Sequence, residues 1–194
     1  MPAAYVPDLY PSEPLPVRLI NTRWGDRDGF HDSLETVAHL EQWTRQCGLD
    51  TPDHLSRDDL HQARALRDAV RRLAAVALDD DRPGVAFDLS PDDALGVLNG
   101  FLRPIAPQLR HDPDGGFQHS WSSPDTGFKR VLVDLALEST ELLEAGPGRL
   151  GICHGPNCVL YFERVPARRG WCSEACGNRA RVARHYQRHK NAGR

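Results

Sequence analysis

The sequence lacks long hydrophobic runs, and no stretch approaches the roughly 20 apolar residues that a membrane-spanning helix requires. Residues 1–16 hold five prolines but neither the basic nor the apolar segment of a secretory signal. These absences predict a cytoplasmic protein that makes no membrane contact. Because the cytoplasm is reducing, we expect its cysteines to be thiols or metal ligands rather than disulfides.

Motifs of the common hydrolytic and nucleotide-binding enzymes are also missing. The chain has no Gly-x-Ser-x-Gly, no phosphate-binding loop and no dinucleotide-binding glycine pattern. His111 and His119 flank a predicted hairpin and could approach one another, although exposed histidines are the simpler interpretation. We therefore predict that the protein is not an enzyme, and catalysis on a small anion is the least favoured alternative.

Acidic residues are scarce at the C-terminal end. The last 44 residues hold nine Lys and Arg against two Asp and Glu, a net charge of +7, whereas the remainder has a net charge of −10. This split indicates a polyanion-binding module joined to an acidic body. The alternative is a basic helix that is merely solvated.

Four of the five cysteines lie in this basic end as two close pairs. The pairs are Cys-x4-Cys and Cys-x3-Cys, 13 residues apart. Pairs at such spacing can converge on one tetrahedral ion, so we predict one structural zinc, with disulfides or free thiols as the alternative. The predicted ligands are Cys153, Cys158, Cys172 and Cys176. His185 and His189 are rival ligands, but they follow Cys176 too closely for a Cys2His2 finger.

The residues between the cysteines predict how the module folds. Gly155 and Pro156 indicate a tight turn inside the first pair. Strand-like residues at 159–165 and a turn at 166–170 predict a hairpin that links the two pairs. Ser173 can cap a helix that holds Cys176 in its first turn. We therefore expect a treble-clef-like ββα module.

The C-terminal helix is predicted to have two faces. At 100° per residue, a basic face carries Arg181, Arg184, His185 and Arg188. The opposite face carries Ala175, Val182, Ala183 and Tyr186, which we expect to pack on Tyr161, Phe162 and Trp171. The residues predicted to contact nucleic acid are Arg168, Arg169, Asn178, Arg179, Arg181, Arg184, His185, Arg188 and Lys190.

The body preceding this module is predicted to be mostly helical. Helices are expected from Asp32, as N-cap, to Gly48, from Ser56 to Leu78, from Ser90 to Leu102 and from Phe128 to Leu143. A short strand is expected at 17–22, and a hairpin is expected from 108–111 and 117–121. The fold class is therefore α+β.

The string at 171–179, Trp-Cys-Ser-Glu-Ala-Cys-Gly-Asn-Arg, resembles the CGNR zinc-finger family, named for the four residues present here at 176–179. The preceding Cys-x4-Cys and the Arg-rich end match that family too. The resemblance implies a DNA-binding finger with four cysteine ligands. It also implies an N-terminal domain of the ABATE type, described as a stress-induced transcription regulator that senses a small ligand. Asn21, Thr22, Arg67 and the stripe from Leu34 to Trp43 are similar to its pattern.

Polar side chains at the edge of an apolar element predict an effector pocket in that domain. The residues predicted to line it are Asn21, Thr22, Arg23, Arg67 and Trp121. Each also has a structural interpretation: Asn21 and Thr22 can end a strand. Arg67 can pair with Asp68, and Trp121 can belong to the core.

These observations together predict an extended lead at 1–16, a ligand-sensing domain at 17–146, a zinc finger at 149–190 and a flexible tail at 191–194. The predicted function is a transcription regulator that binds double-stranded DNA and responds to a small-molecule effector. Because one such module offers few phosphate contacts, a homodimer is expected. The alternative is a protein-interaction adaptor whose basic module docks on an acidic partner or on its own acidic body.

Overall fold

The computed structural model describes Pro7 and residues 10–82 and 89–192, which form helices and three small antiparallel hairpins. The helices are α1 (Leu15–Ile20), α2 (Val37–Gln46), α3 (Arg57–Ala77), α4 (Pro91–Leu102), α5 (Gly127–Ala145) and α6 (Glu174–Ala192). The strands are β1 (Arg23–Asp26), β2 (Gly29–Asp32), β3 (Ala106–His111), β4 (Phe117–Ser122), β5 (Leu150–Ile152) and β6 (Tyr161–Glu163). The predicted α+β class is confirmed. No helix of these residues is long and apolar enough to cross a membrane.

Helix α3 is the centre of the body. The side chain of Ser56 accepts a hydrogen bond from Asp59 N, and the Asp59 carboxylate accepts one from Ser56 N at 2.7 Å. This capping box fixes the helix start at the predicted place. Its stripe of Ala63, Leu66 and Val70 is completely buried where α1, α4 and α5 pack against α3.

The segment predicted as a strand at 17–22 is helix α1. Val17, Leu19 and Ile20 are completely buried, because α1 packs against both α3 and α5. Periodicity alone cannot assign a short apolar run, so these tertiary contacts decide its structure. The predicted extended lead therefore ends at Pro14, and its residues 1–6, 8 and 9 lie outside the described part.

Helix α2 begins later than predicted, and its N-cap is Thr36 rather than Asp32. The Thr36 side chain accepts a hydrogen bond from His39 N at 3.2 Å. Asp32 instead accepts two hydrogen bonds from Arg67, at 2.5 and 2.9 Å. This ion pair ties the β1–β2 hairpin to α3.

The predicted β3–β4 hairpin and helices α4 and α5 are confirmed. The hairpin of the C-terminal module differs from the prediction. Strand β6 pairs with β5, so the first cysteine pair lies in the loop between them, and residues 164–172 contain no strand. Leu150 of β5 and Tyr161 of β6 are both completely buried in the body's core, which holds this pairing in place.

Candidate zinc centre and basic surface

The four cysteine sulfurs of the C-terminal module converge on one point. They all lie within 4.8 Å of one another, and all four residues are buried. Cys172 Sγ lies 3.7 Å from Cys158 Sγ and 3.4 Å from Cys176 Sγ. Zinc bound tetrahedrally by sulfur at about 2.3 Å would separate its ligands by about 3.8 Å. The four cysteines therefore fit one structural zinc ion, as predicted.

A tight turn holds the first cysteine pair. Cys158 N donates to Gly155 O at 2.9 Å, and Cys153 N donates to Leu160 O at 3.0 Å. Gly155 is needed here because a Cβ at this position would lie 3.1 Å from Cys176 Cβ. The turn therefore packs directly against the helix that supplies the second pair.

The residues after Cys176 are placed by contacts with the metal site. Ser173 Oγ accepts a hydrogen bond from Cys176 N at 3.2 Å, which confirms the predicted cap of α6. A Cβ at Gly177 would lie 3.1 Å from the Trp171 ring, so glycine lets that ring pack on the helix. Arg179 Nη2 donates to Cys176 Sγ at 2.9 Å. The Cys-Gly-Asn-Arg order thus has a geometric basis.

Electrostatics at the site favour the thiolate form of Cys176. Hydrogen bonds from the other three cysteines hold its pKa below the ordinary thiol value, and the Arg179 guanidinium adds to that effect. The same contact raises the pKa of Arg179. Thiolate is the form that binds zinc, so Arg179 assists the metal site as well as adding positive charge.

Most of the residues predicted to contact DNA form an exposed surface along α6. We name it the α6 basic surface, and its exposed members are Arg168, Asn178, Arg179, Arg181, Arg184, His185 and Arg188. Arg168 and Arg181 line a cleft of about 710 Å³ beside the first turn of the helix. Arg181 also donates to Asn178 Oδ1, and Arg184 lies over the Trp171 ring. The side chain of Lys190 lies outside the described residues.

Arg169, which is also predicted to contact DNA, makes several contacts within the module. Its guanidinium donates to the carbonyl oxygens of Glu163 at 3.1 Å, Trp171 at 3.1 Å and Cys172 at 2.7 Å. It also forms an ion pair with Glu13 at 2.5 Å. These four contacts use four of the five guanidinium N–H groups and fix the segment between the cysteine pairs.

The apolar side of α6 does not pack on the hairpin aromatics as predicted. Val182 is 54% exposed and Tyr186 is 72% exposed. Phe162 packs among the cysteines, and Tyr161 belongs to the core of the body, so neither ring is available to α6. The second half of the helix therefore presents apolar as well as basic side chains to solvent.

The residues predicted as an effector pocket have different surroundings in the described part of the chain. Arg23 lines a cavity of about 400 Å³ together with Trp24, His31 and Asp32 but without the other four. Trp121 lies on β4, is 47% exposed and contacts His119 edge to face. Trp121 is therefore not part of the core, which was its alternative interpretation.

The other three predicted pocket residues are occupied by partners within the chain. Thr22 Oγ1 donates to Leu19 O at 2.7 Å, and Arg67 is held by carboxylates, including that of Asp68 at 2.9 Å. The Asn21 amide donates to Tyr161 O and accepts from Tyr161 N, both at 2.9 Å. Asn21 thus extends β6 like a further strand residue.

Asn21 belongs to a buried joint between the body and the zinc module. The joint comprises Asn21, Arg71, Asp80, Arg82 and Tyr161. Arg71 donates to Ile20 O at 2.8 Å and to Val159 O at 2.9 Å, and it lies over the Tyr161 ring. Arg82 donates to the carbonyls of Cys153 at 2.6 Å and Cys158 at 3.1 Å. Asp80 accepts from the Tyr161 hydroxyl at 2.8 Å.

The charges of the joint persist at neutral pH. Burial lowers the pKa of Arg71 to about 10, which leaves it protonated. Burial alone would raise the pKa of Asp80, but hydrogen bonds from Arg82 and Tyr161 outweigh it and hold that pKa below its ordinary value. Sequence reasoning missed both residues. Arg71 could have been found from the sequence, because it occupies a position on the apolar stripe of α3, and a buried guanidinium needs hydrogen-bond acceptors.

The N-terminal segment also contacts the zinc module. Glu13 accepts a hydrogen bond from Glu163 N at 2.8 Å, in addition to its ion pair with Arg169. The Tyr10 hydroxyl lies 3.7 Å from Cys172 Sγ. Residues predicted as an extended lead therefore cover one side of the cysteine cluster.

Comparison with known families gives two matches that lie end to end. Residues 149–189 match the CGNR zinc finger, and residues 13–146 match ABATE, described as a putative stress-induced transcription regulator. A search of curated proteins found no match. Because the ABATE match covers more than half of the chain, the protein belongs to the ABATE family and carries a C-terminal CGNR zinc finger that binds one zinc ion.

Proposed function

We propose that the protein is a transcription regulator that binds double-stranded DNA through the α6 basic surface. The observation that carries the proposal is the charge of +7 on the last 44 residues, of which the 19-residue helix α6 holds five basic residues and no acid after Glu174. Such a helix neutralises phosphates and fits the major groove. The acidic body is repelled by DNA, which favours approach through the finger alone.

Different parts of the α6 basic surface are suited to different kinds of DNA contact. Arg168 and Arg181, at the cleft beside the first turn, are suited to phosphate contacts. Further along the same face, Arg188 can donate to guanine. Phosphate contacts fix the position of the helix, and Arg188 then supplies sequence preference.

Fluorescence anisotropy with a labelled duplex tests the proposal. Arg181→Glu/Arg188→Glu should weaken binding at least tenfold, because a phosphate contact and a base contact are both replaced by charges that DNA repels. The control, Arg57→Glu/Arg103→Glu, makes the same charge change at exposed positions of the body and should have a much smaller effect. Zinc content confirms that each protein is folded. Equal losses in both variants, or no binding by zinc-loaded protein, would favour the adaptor that docks on an acidic partner.

The proposal includes a small-molecule effector that reports stress to the finger. A cavity of about 770 Å³ between residues 48–52 and α5 is a candidate site. Leu49, Val131 and Leu135 give it an apolar floor. Its rim holds Asp50, Asp125, Asp134 and Glu138 against Arg130, which pairs with Asp134, so the excess of negative charge suits a small organic cation. Thermal melting in the presence of amines should show stabilisation that Val131→Trp, which fills the cavity, abolishes. A shift that survives this substitution would place the effector elsewhere.

We further propose where the protein acts and in which oligomeric state. The protein acts in the cytoplasm, where thiols stay reduced for zinc and DNA is accessible. It acts as a homodimer, since two modules on adjacent half-sites bind far more tightly than one.

A further inference from the structure

Hairpin β3–β4 leaves an apolar face uncovered. Its register places Leu109 opposite His119 and Pro107 opposite Trp121, so these side chains share one face with Phe117. Leu109 is 68% exposed, Phe117 is 71% exposed and Trp121 is 47% exposed. A lone two-stranded hairpin is at best marginally stable in water, and exposed aromatic clusters of this kind mark interaction sites.

The backbone of β4 offers one open edge to another strand. Asp112 N donates to Gly116 O at the end of the turn. Because bonded pairs alternate along an antiparallel ladder, Gln118 and Ser120 face β3, while Phe117, His119 and Trp121 point their N–H and C=O groups outward. The outer edge of β3 is blocked by Pro107, which has no N–H.

We propose that β4 pairs antiparallel with β4 of a second copy of this chain, about a two-fold axis at His119. This register places Phe117 opposite Trp121 of the second copy. Each outward-facing residue then meets another outward-facing residue, so both N–H···O bonds of every pair can form. The two hairpins become one four-stranded sheet. The inference concerns an assembly surface and stands independently of DNA binding.

The absence of charge on β4 favours a second copy as the occupant. Strand β4 reads Phe-Gln-His-Ser-Trp-Ser and holds no Lys, Arg, Asp or Glu, the residues that natural edge strands use to prevent pairing. Two copies of it therefore do not repel each other. Each aromatic ring can bury roughly 150–250 Å². Because each copy contributes two rings that are already partly buried, the contact is smaller than the range of about 1,200–2,000 Å² for stable specific interfaces, which fits a weak, reversible dimer.

Sedimentation velocity of the zinc-loaded full chain without DNA measures dimerisation. Charged substitutions at positions that face each other in the proposed register then test that register. Phe117→Lys/Trp121→Lys should raise the dimer dissociation constant at least tenfold, because like charges face each other across the axis. Phe117→Glu/Trp121→Lys should restore the dimer, since the introduced carboxylate of one copy faces the introduced ammonium of the other. A wild-type protein that stays monomeric, or equal association of all three proteins, would overturn the proposal.

A cysteine at the axis gives a second test. His119→Cys should be cross-linked to its copy by a short bismaleimide, because directly opposed Cβ atoms of a hydrogen-bonded pair lie only about 5.5 Å apart. Leu109→Cys, opposite it on the same face but on the outer strand, should not, since its counterpart is three strand spacings or about 14 Å away. Absence of the cross-link at position 119, or equal cross-linking at 109, refutes the pairing. Duplex binding measured on the same proteins separates a failure of assembly from a failure of DNA recognition.

Discussion

Buried charged side chains are the most informative single residues of this protein. Arg67 and Arg71 both stand on the buried stripe of α3, and each is 1% exposed. Spacing alone indicates that such guanidinium groups need acceptors. It cannot say whether those acceptors belong to a ligand or to the chain, because Asp32 and Val159 are distant in sequence. For this reason Arg67 and Asn21 were predicted as ligand contacts when their partners lie within the protein.

Arg71→Met should lower the free energy of unfolding by about 2–4 kcal/mol, because it leaves the buried carbonyls of Ile20 and Val159 without donors. The methionine keeps most of the side-chain volume. Arg72→Met, at the next and half-buried position, should cost within about 0.5 kcal/mol. Urea unfolding followed by circular dichroism measures both. Similar losses in the two variants would refute the buried-joint interpretation of Arg71.

Asp32 should make stability depend on pH. Burial alone would raise its pKa, but the hydrogen bond and charge of Arg67 outweigh that effect, so the folded pKa lies below the ordinary value. Its contribution is therefore complete above about pH 4, the unfolded pKa, and is lost as the pH falls through the folded value. Comparing urea unfolding at neutral and acidic pH, Asp32→Asn should lose less stability on acidification than wild type. An identical loss would show that Asp32 is not linked to folding.

At the scale of elements, the sequence predicts a helix correctly where a capping residue is followed by an apolar stripe. Ser56 and Ser90 start α3 and α4 as expected, and Ser173 starts α6. Local sequence signals were misleading where residues distant in sequence determine the structure. Asp32 binds Arg67 instead of capping α2, and the contacts of α1 with α3 and α5 stabilise a helix where the sequence resembles a strand. The cysteine spacing identified the metal site fully. It could not identify β5 as the partner of β6, because β5 precedes the first cysteine.

The start of α6 should control how firmly zinc is held. Arg179→Gln removes the donor to Cys176 Sγ, so zinc affinity should fall about 10-fold or more, as for other residues that support metal ligands. Competition with a chromophoric chelator measures this loss. Arg181→Gln removes the same charge two residues later, where no cysteine is contacted, and should leave zinc affinity unchanged. If both substitutions lowered zinc affinity equally, Arg179 would act only through its contribution to the overall charge.

At the scale of the molecule, two family matches meet near residue 147, but the structure interlocks them. Tyr161 of the zinc module is completely buried in the body, and Glu13 of the N-terminal segment contacts Arg169 of the module. Composition revealed the charge split between the two parts. It did not reveal the joint, because the joint is made of single residues far apart in the chain.

The isolated segment 149–194 should therefore fold less well than the module in the full chain. It keeps all four cysteines but loses the donors from Asn21 and Arg82 and the burial of Leu150. Its zinc affinity should be lower, and its amide spectrum in nuclear magnetic resonance should be poorly dispersed with zinc present. A well-dispersed spectrum and full-chain affinity would show that the module folds without the body.

The salt dependence of duplex binding tests the central claim most directly. The logarithm of the binding constant should fall linearly with the logarithm of salt concentration, with a slope of about −0.9 for each phosphate neutralised. Arg168→Ala/Arg181→Ala should make that slope shallower by about 1.8, because two phosphate contacts are lost, while zinc content stays the same. An unchanged slope, or binding by zinc-loaded wild type that is insensitive to salt, would contradict DNA recognition by the α6 basic surface.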